Sequence, residues 1–170
     1  DYGAWVNSSM ITVDNAPPTI VGSSPVGAAS VMPSIATTSF SCWATVTDLD
    51  GYADVSTAGG LFYNYTAGES GADDANKLYS NNSCRLEGGA GNSVYANCTF
   101  QLKYYATPGN YSCRFNATDS SSATATNYSA NYTIPNLIAI AALPSTIAWG
   151  SLYPGETSNA FTVVVTNWGN

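Results

Sequence analysis

Three aspartates around one turn are the side chains of this chain that are best suited to chemistry. Asp48, Asp50 and Asp54 surround Gly51, and oxygen ligands on a tight glycine-containing loop suit Ca²⁺. The spacing therefore predicts a calcium site, to which Asp119 would add a ligand if the fold brings it close. A second interpretation stays open, because Asp-Gly is a common turn pair in which the aspartate caps its own backbone and because the full spacing of an EF-hand loop is absent.

Catalytic side chains are scarce. The chain has no His, so a nucleophile would need a Lys or a carboxylate as its base. The two lysines, Lys77 and Lys103, lie in patterns typical of exposed positions. A glycosidase needs two carboxylates that face each other across a cleft, whereas Asp73 and Asp74 are adjacent in a loop typical of a solvated turn. We therefore predict that the chain is not an enzyme.

The charge of the chain excludes several partners. Its net charge is −7, with four Lys plus Arg and 9% charged residues. Nucleic-acid surfaces need clustered Lys and Arg, and anionic lipid headgroups also attract basic residues. No stretch approaches the ~20 apolar residues of a membrane-spanning helix. We expect no nucleic-acid partner and no membrane span.

Acceptor triplets for N-linked sugar are frequent. Eight of the sixteen asparagines precede Xaa-Ser or Xaa-Thr without proline, and these are Asn7, Asn64, Asn81, Asn97, Asn110, Asn116, Asn127 and Asn131. Covalent N-linked glycans would keep a chain with so few charges in solution. We expect an extracellular or cell-surface glycoprotein. Asn97 and Asn116 should point outward because their neighbours Cys98 and Phe115 point inward, and occupancy should fail wherever an Asn points into the core.

Alternating apolar and polar residues predict an all-β fold, because no pattern of helical period occurs. The predicted strands are 5–13, 19–23, 38–47, 61–66, 83–86, 94–105, 109–119, 127–134, 145–152 and 160–168. Consecutive Pro17 and Pro18 mark a linker over 14–18, and residues 135–144 form a second linker. We expect an N-terminal strand and linker over 1–15, a complete domain over 16–137 and a partial module over 138–170.

The cysteines fall where disulfides are expected. Cys42 and Cys113 lie on separate predicted strands, and Tyr111 precedes Cys113 by two residues. In an immunoglobulin-like sandwich this tyrosine forms the tyrosine corner and the cysteines bridge the two sheets. Cys84 and Cys98 flank a glycine-rich loop and would staple a hairpin. Among three connectivities we favour 42–113 and 84–98. Four reduced thiols are the alternative, and zinc is disfavoured because CxxC and His are missing.

Short motifs resemble the immunoglobulin-like repeats of archaeal surface proteins. They are CWATVTDLDG at 42–51, PGNYSC at 108–113 and ATD at 117–119. YPGET at 153–157 and VVVTNWGN at 163–170 are similar to another β-sandwich repeat of those proteins. The likeness covers most of residues 16–170. It implies an immunoglobulin-like β-sandwich, a partial second β-sandwich module, an N-terminal extension strand and a cell-surface or filament-forming role without catalytic residues.

Self-assembly by strand donation is the function that this organisation favours. The N-terminal strand has no partner within its own predicted domain and the 138–170 module lacks strands, so a strand inserted into the next copy would pair both exposed edges. Such a head-to-tail contact does not close and propagates as a fibre. We expect a structural subunit of an extracellular filament or surface layer, with interface side chains Trp5, Val6, Met10, Ile11, Val13, Phe161, Val163 and Val165.

The alternative is a stalk or adhesin module of a larger surface protein that binds cells or glycans. The many Tyr and Trp residues would suit stacking on sugars. Four of the triplets are Asn-Tyr-Ser or Asn-Tyr-Thr, which favours tyrosines lying under the chain's own glycans. A filament subunit should polymerise through residues 1–14, whereas a stalk segment should stay monomeric.

Overall fold

A computed structural model describes residues 14–26, 37–129 and 131–170, and its regular elements there are strands and one 3-10 turn, Tyr52–Asp54. The strands are β1 (Thr19–Val26), β2 (Thr37–Thr47), β3 (Val55–Asn64), β4 (Leu78–Asn81), β5 (Arg85–Ala90), β6 (Ser93–Lys103), β7 (Gly109–Asp119), β8 (Thr124–Tyr128), β9 (Tyr132–Ile134), β10 (Ile140–Leu143) and β11 (Val164–Asn167). The all-β prediction is confirmed. The predicted strand 5–13 lies outside the described residues.

Two antiparallel sheets form a sandwich. The first sheet has the order β1-β2-β6-β5, and the second has the order β4-β3-β7-β8, with β9 also paired to β7. Strands one, two, five and six on one sheet and three, four, seven and eight on the other fit the immunoglobulin-like arrangement. β10 and β11 form a separate two-stranded sheet.

The core lies between the two sheets and is filled by alternate residues of their central strands. β2, β6 and β7 contribute Phe40, Cys42, Ala44, Val46, Val94, Ala96, Cys98, Phe100, Leu102, Tyr111, Cys113, Phe115 and Ala117. Phe62 of β3 is fully buried, and its ring lies 4.5 Å from that of Phe40 and 4.9 Å from that of Tyr111. The strict alternation read from β2, β6 and β7 therefore corresponds to the inward faces.

Both disulfides join the pairs that the sequence favoured. Cys42 of β2 and Cys113 of β7 bridge the two sheets with a Cα–Cα distance of 6.6 Å across 71 residues. Cys84 and Cys98 join the start of the β5–β6 hairpin across 14 residues. Closing loops of these lengths restricts the unfolded chain and stabilises the fold by about 3–4 kcal/mol per bridge.

The first half of β3 was missed because its sequence is a poor strand former. Gly59 and Gly60 lie in the middle of β3, and glycine normally weakens a strand. A Cβ at Gly60 would come within 2.8 Å of the Cys98 sulfur, and one at Gly59 within 2.8 Å of the Asn116 side chain. Only glycine allows β3 to pass this close to the second disulfide.

Several predicted strands are wrong in extent. The predicted strand 127–134 is two strands, because Ser129 interrupts the ladder and its hydroxyl accepts the Cys113 N–H at 2.8 Å. Strand β4 was not anticipated. Residues 145–152 contain no strand, and β10 lies inside the predicted linker 135–144. The expected partial β-sandwich is therefore, within the described residues, a two-stranded sheet.

Tyr111 forms the tyrosine corner that its position predicts. Its buried hydroxyl lies 2.8 Å from the carbonyl oxygens of both Thr107 and Asn76. Burial raises the pKa of Tyr111 to about 12, although hydrogen bonding to Asn64 acts in the opposite direction. The hydroxyl thus ties the loop before β7 to the loop before β4.

Replacing Tyr111 with Phe should remove this tie and leave the ring packing intact. We expect Tyr111→Phe to lower the free energy of unfolding by about 1–2 kcal/mol, since buried carbonyls lose a donor. Urea unfolding followed by fluorescence measures the loss. Tyr95→Phe, at an exposed tyrosine of β6, is the control and should be near neutral.

The pH dependence of Tyr111→Phe tests the raised pKa of Tyr111. Because the folded pKa lies above the ordinary value of about 10, the stabilisation is complete below that pH and is lost as the pH rises towards 12. The decline in stability above pH 10 should therefore be shallower in Tyr111→Phe than in the wild type. An equal decline in both proteins would show that Tyr111 does not titrate as described.

Candidate functional site

The turn after β2 is built from aspartate and glycine. The Asp48 Oδ1 atom accepts the Asp50 N–H at 2.9 Å, and Gly51 has a φ of 111°, which favours glycine. The turn is fastened to the β5–β6 hairpin, because the Asp48 N–H donates to the Asn92 carbonyl at 2.8 Å and the Tyr52 N–H donates to the Gly91 carbonyl at 3.0 Å. The backbone around Asp48 is therefore held on both sides.

Three carboxylates converge at this end of the sandwich. Asp48 follows β2, Asp54 ends the 3-10 turn and Asp119 ends β7. Each offers an oxygen within 4.8 Å of the other two. Asp48 is 0% exposed and Asp119 is 2% exposed. We call these three residues the acidic cluster.

Two oxygens of the acidic cluster have no hydrogen-bond donor among the described residues. They are the enclosed Oδ2 atoms of Asp48 and Asp54. The other oxygen of Asp54 accepts the Ser120 hydroxyl. Buried carboxylate oxygens without donors are unfavourable unless a cation or water reaches them.

Asp119 is held in its ionised form by donors. Its Oδ2 atom accepts the Asn15 side-chain amide at 2.9 Å, and its Oδ1 atom accepts the Ala123 N–H at 2.8 Å. The Asn15 amide, together with the backbone N–H groups after Asp119, holds the pKa of this carboxyl below its usual value, although burial acts in the opposite direction. The cluster therefore contains a carboxylate whose ionised form is stabilised by its donors.

Of the three predicted calcium ligands, Asp48 and Asp54 converge and Asp50 does not. Asp50 is exposed, and its Oδ2 atom accepts the Ala16 N–H at 2.8 Å. Asp119 takes the third place, because the β3–β7 register sets Val55 opposite Asp119. Sequence spacing alone favoured Asp50, since the register of two strands far apart in the chain is needed to select Asp119.

The N-terminal linker is bound at the acidic cluster. Asn15 donates to Asp119, and Ala16 donates to Asp50. Pro17 and Pro18 follow and lead into β1. Residues 15 and 16 are therefore held at the end of the sandwich where β2 and β7 finish.

The C-terminal sheet is attached at the opposite end. The Asn170 side-chain amide donates to the Ala106 carbonyl at 2.8 Å, and its Oδ1 atom accepts the Leu137 N–H at 2.6 Å. The Trp168 ring lies 5.6 Å from that of Tyr104. Ala106 precedes β7, whereas Asp119 ends it. β7 has 11 residues, so at about 3.3 Å per step the strand between these attachments is roughly 33 Å long.

The C-terminal sheet exposes apolar side chains. Ile140 and Leu143 of β10 are each 70% exposed, and Val165 of β11 is 66% exposed. Beside the sheet, the Trp149 and Phe161 rings form an edge contact at 5.2 Å. Among the described residues, β10 and β11 pair with each other and with no third strand. Within the described part of the chain, both edges of this sheet are therefore open to pairing with a further strand.

The predicted interface residues divide into two groups. Phe161 and Val163 are exposed and lie before β11, and Val165 lies within it. The donor-strand residues lie outside the described part of the chain, and they are Trp5, Val6, Met10, Ile11 and Val13.

The acceptor asparagines differ in access. The exposed ones are Asn110, Asn116 and Asn131. Those partly buried are Asn81, Asn97 and Asn127, with side-chain amides that donate to the Thr99 carbonyl, Glu87 and the Ile20 carbonyl respectively. Asn64 is buried, and Asn7 lies outside the described residues.

Asn97 is less accessible than expected. It lies on the outer face, but β6 is a central strand and the residue is flanked by Trp43 of β2 and Arg85 of β5. Its Oδ1 atom is enclosed as a result. An outward-pointing residue on a central strand can thus still be covered by its cross-strand neighbours.

The described residues contain no helix that is long and apolar enough to cross a membrane. Comparisons of the chain with protein-family models, with curated proteins and with solved structures found no match. Membership of the archaeal surface-protein repeats therefore stays a prediction.

Proposed function

We propose that this chain is a structural subunit of a glycosylated extracellular filament or surface layer, and that copies join head to tail by strand donation. In this assembly the segment 1–13 of one copy pairs with an edge of the β10–β11 sheet of the next. The observation that carries the proposal is the placement of the two partners. The linker of the donor segment is bound at one end of the sandwich, and the acceptor sheet is attached at the other.

The acceptor sheet has the properties that an added strand requires. A two-stranded sheet is marginally stable by itself, and a third strand adds backbone hydrogen bonds and covers side chains. Ile140, Leu143 and Val165 are each about two-thirds or more exposed. Burying those that lie next to the added strand would be favourable by roughly 1–2 kcal/mol each.

The donor segment has a matching composition. Trp5, Ile11 and Val13 lie on one alternation of the segment and Val6 and Met10 on the other, so either face offers large apolar side chains. With donor and acceptor at opposite ends, each added copy presents a new acceptor, and the contact propagates without closing.

The sandwich itself suits an exposed, long-lived structure. Two disulfides staple it, and such bridges persist in oxidising compartments. Asn110 and Asn116 are exposed residues of β7, where attached glycans would shield the second sheet from proteases. This supports an extracellular location.

A stalk module in a tandem array is the second candidate. The placement of the two attachments at opposite ends favours it as well, because a stalk also needs its neighbours at opposite ends. The two candidates differ in whether isolated copies of this chain assemble.

Deleting residues 1–13 should abolish assembly under strand donation. We expect filaments of the full chain in electron micrographs and monomers of the shortened chain by light scattering. A synthetic peptide of residues 1–14 should bind the shortened chain. Filaments of the shortened chain, or a full chain that stays monomeric, would contradict strand donation.

Charge on the acceptor sheet should have the same effect. We expect Val165→Asp to reduce assembly at least tenfold, because a donated strand beside β11 would pack against a carboxylate in place of an apolar side chain. Val21→Asp is the matched control, since Val21 is 61% exposed on β1 of the first sheet and should leave assembly unchanged. Equal loss in both variants would argue for a general charge effect.

Glycan occupancy should follow side-chain access. We expect sugar on Asn110, Asn116 and Asn131 in protein from its native host. None is expected on Asn64, whose buried Oδ1 accepts the Thr66 N–H at 3.0 Å. Site-resolved mass spectrometry of glycopeptides measures this. Sugar-free Asn110, Asn116 and Asn131 would refute the glycoprotein assignment.

A further inference from the structure

We infer that Asp48, Asp54 and Asp119 bind a calcium ion, and that the bound ion holds the N-terminal linker in a fixed orientation on the sandwich. The inference is independent of the proposed function, because it concerns a cation and a linker that a filament subunit and a stalk module would share.

The acidic cluster lacks a protein cation. Within the described part of the chain, the ion pairs are Lys77–Asp74, Arg85–Glu87 and Arg114–Glu69. None involves the cluster, although its three carboxylates lie within 4.8 Å of one another. Carboxylates this close repel each other. A bound cation would reduce this repulsion, which no basic side chain of the described residues reduces.

The carboxylate oxygens without donors indicate a bound cation. Asp48 is completely buried and its Oδ2 atom has no donor among the described residues, while its Oδ1 atom is used by the turn. The Oδ2 atom of Asp54 is also enclosed and without a donor among these residues. A cation bound between these carboxylates would satisfy both oxygens at once.

The ligand types select calcium over other cations. The chain has no His, and its four cysteines are in disulfides, so the nitrogen and sulfur ligands that zinc prefers are missing. Calcium accepts six to eight oxygens in irregular geometry, whereas magnesium needs a near-octahedral set and retains its water. Three carboxylates from separate elements, completed by carbonyls or water, suit calcium.

The linker is coupled to the same carboxylates. Asn15 is bound to Asp119, and Ala16 is bound to Asp50 on the turn that carries Asp48 and Asp54. An ion that holds Asp119 against this turn therefore also fixes the two acceptors of the linker. Pro17 and Pro18 then limit how far the linker can swing.

Calcium binding to the full chain is measured by titration calorimetry and by the shift in Tm, with CaCl2, MgCl2 and a chelator compared at equal ionic strength. We expect a calcium Kd of about 10⁻⁴–10⁻³ M, as in extracellular sites, and at least tenfold weaker magnesium binding. No calcium-dependent heat or Tm shift would overturn the site. Equal binding of magnesium would overturn the assignment to calcium.

Single carboxylate variants locate the site. We expect Asp54→Asn and Asp119→Asn each to weaken calcium binding at least tenfold. If one of the two variants does not fold, the other still tests the site. Asp73→Asn, in a remote exposed loop, is the control and should stay within twofold of the wild type, whereas Asp50→Asn, in the same turn, should weaken binding less than Asp54→Asn does. A loss in Asp50→Asn equal to that in Asp54→Asn would overturn the assigned ligand set.

Hydrogen exchange at the Ala16 amide tests the coupling to the linker. Calcium should slow this exchange at least threefold in the wild type and leave it unchanged in Asp54→Asn. Calcium binding without slower exchange at Ala16 would overturn the orientation of the linker by the ion.

Discussion

The register of β7 is the constraint on which the rest of the structure depends. Its inward residues include Tyr111, Cys113 and Phe115, all of which are essentially buried. Cys113 ties the strand to β2 through the inter-sheet disulfide. The Tyr111 hydroxyl binds the Thr107 carbonyl in the loop before the strand. A slip of one residue would turn this whole set towards solvent. The strand is therefore held in one position along its length.

This fixed strand sets the separation between the two ends of the molecule. Asp119 at its end contributes to the acidic cluster and binds the linker through Asn15. Ala106 before its start accepts the Asn170 side chain that attaches the C-terminal sheet. Because β7 is rigid and extended, the two attachments cannot approach each other. A contact between donor and acceptor of this kind is therefore suited to linking different copies into a line.

The sequence predicted the features that depend on alternation and on single residues. The inward faces of β2, β6 and β7, the two disulfides and the tyrosine corner follow from spacing, because a buried face imposes period two on the chain. The close passage of Gly60 over the Cys98 sulfur and the break at Ser129 depend on tertiary contacts that have no local signal. For the acidic cluster the sequence named Asp48 and Asp54, and it named Asp119 only on condition that the fold brings it close, because Asp119 joins them through the β3–β7 register.

Complementation between two defective subunits tests strand donation most directly. A chain without residues 1–13 keeps an acceptor sheet and lacks a donor, whereas Val165→Asp keeps the donor and has a blocked acceptor. Each should be monomeric alone, and an equimolar mixture should form a discrete 1:1 dimer in native mass spectrometry without filaments, because the second contact cannot form. A mixture that stays monomeric, or one that grows filaments, would contradict head-to-tail donation of the N-terminal segment to the C-terminal sheet.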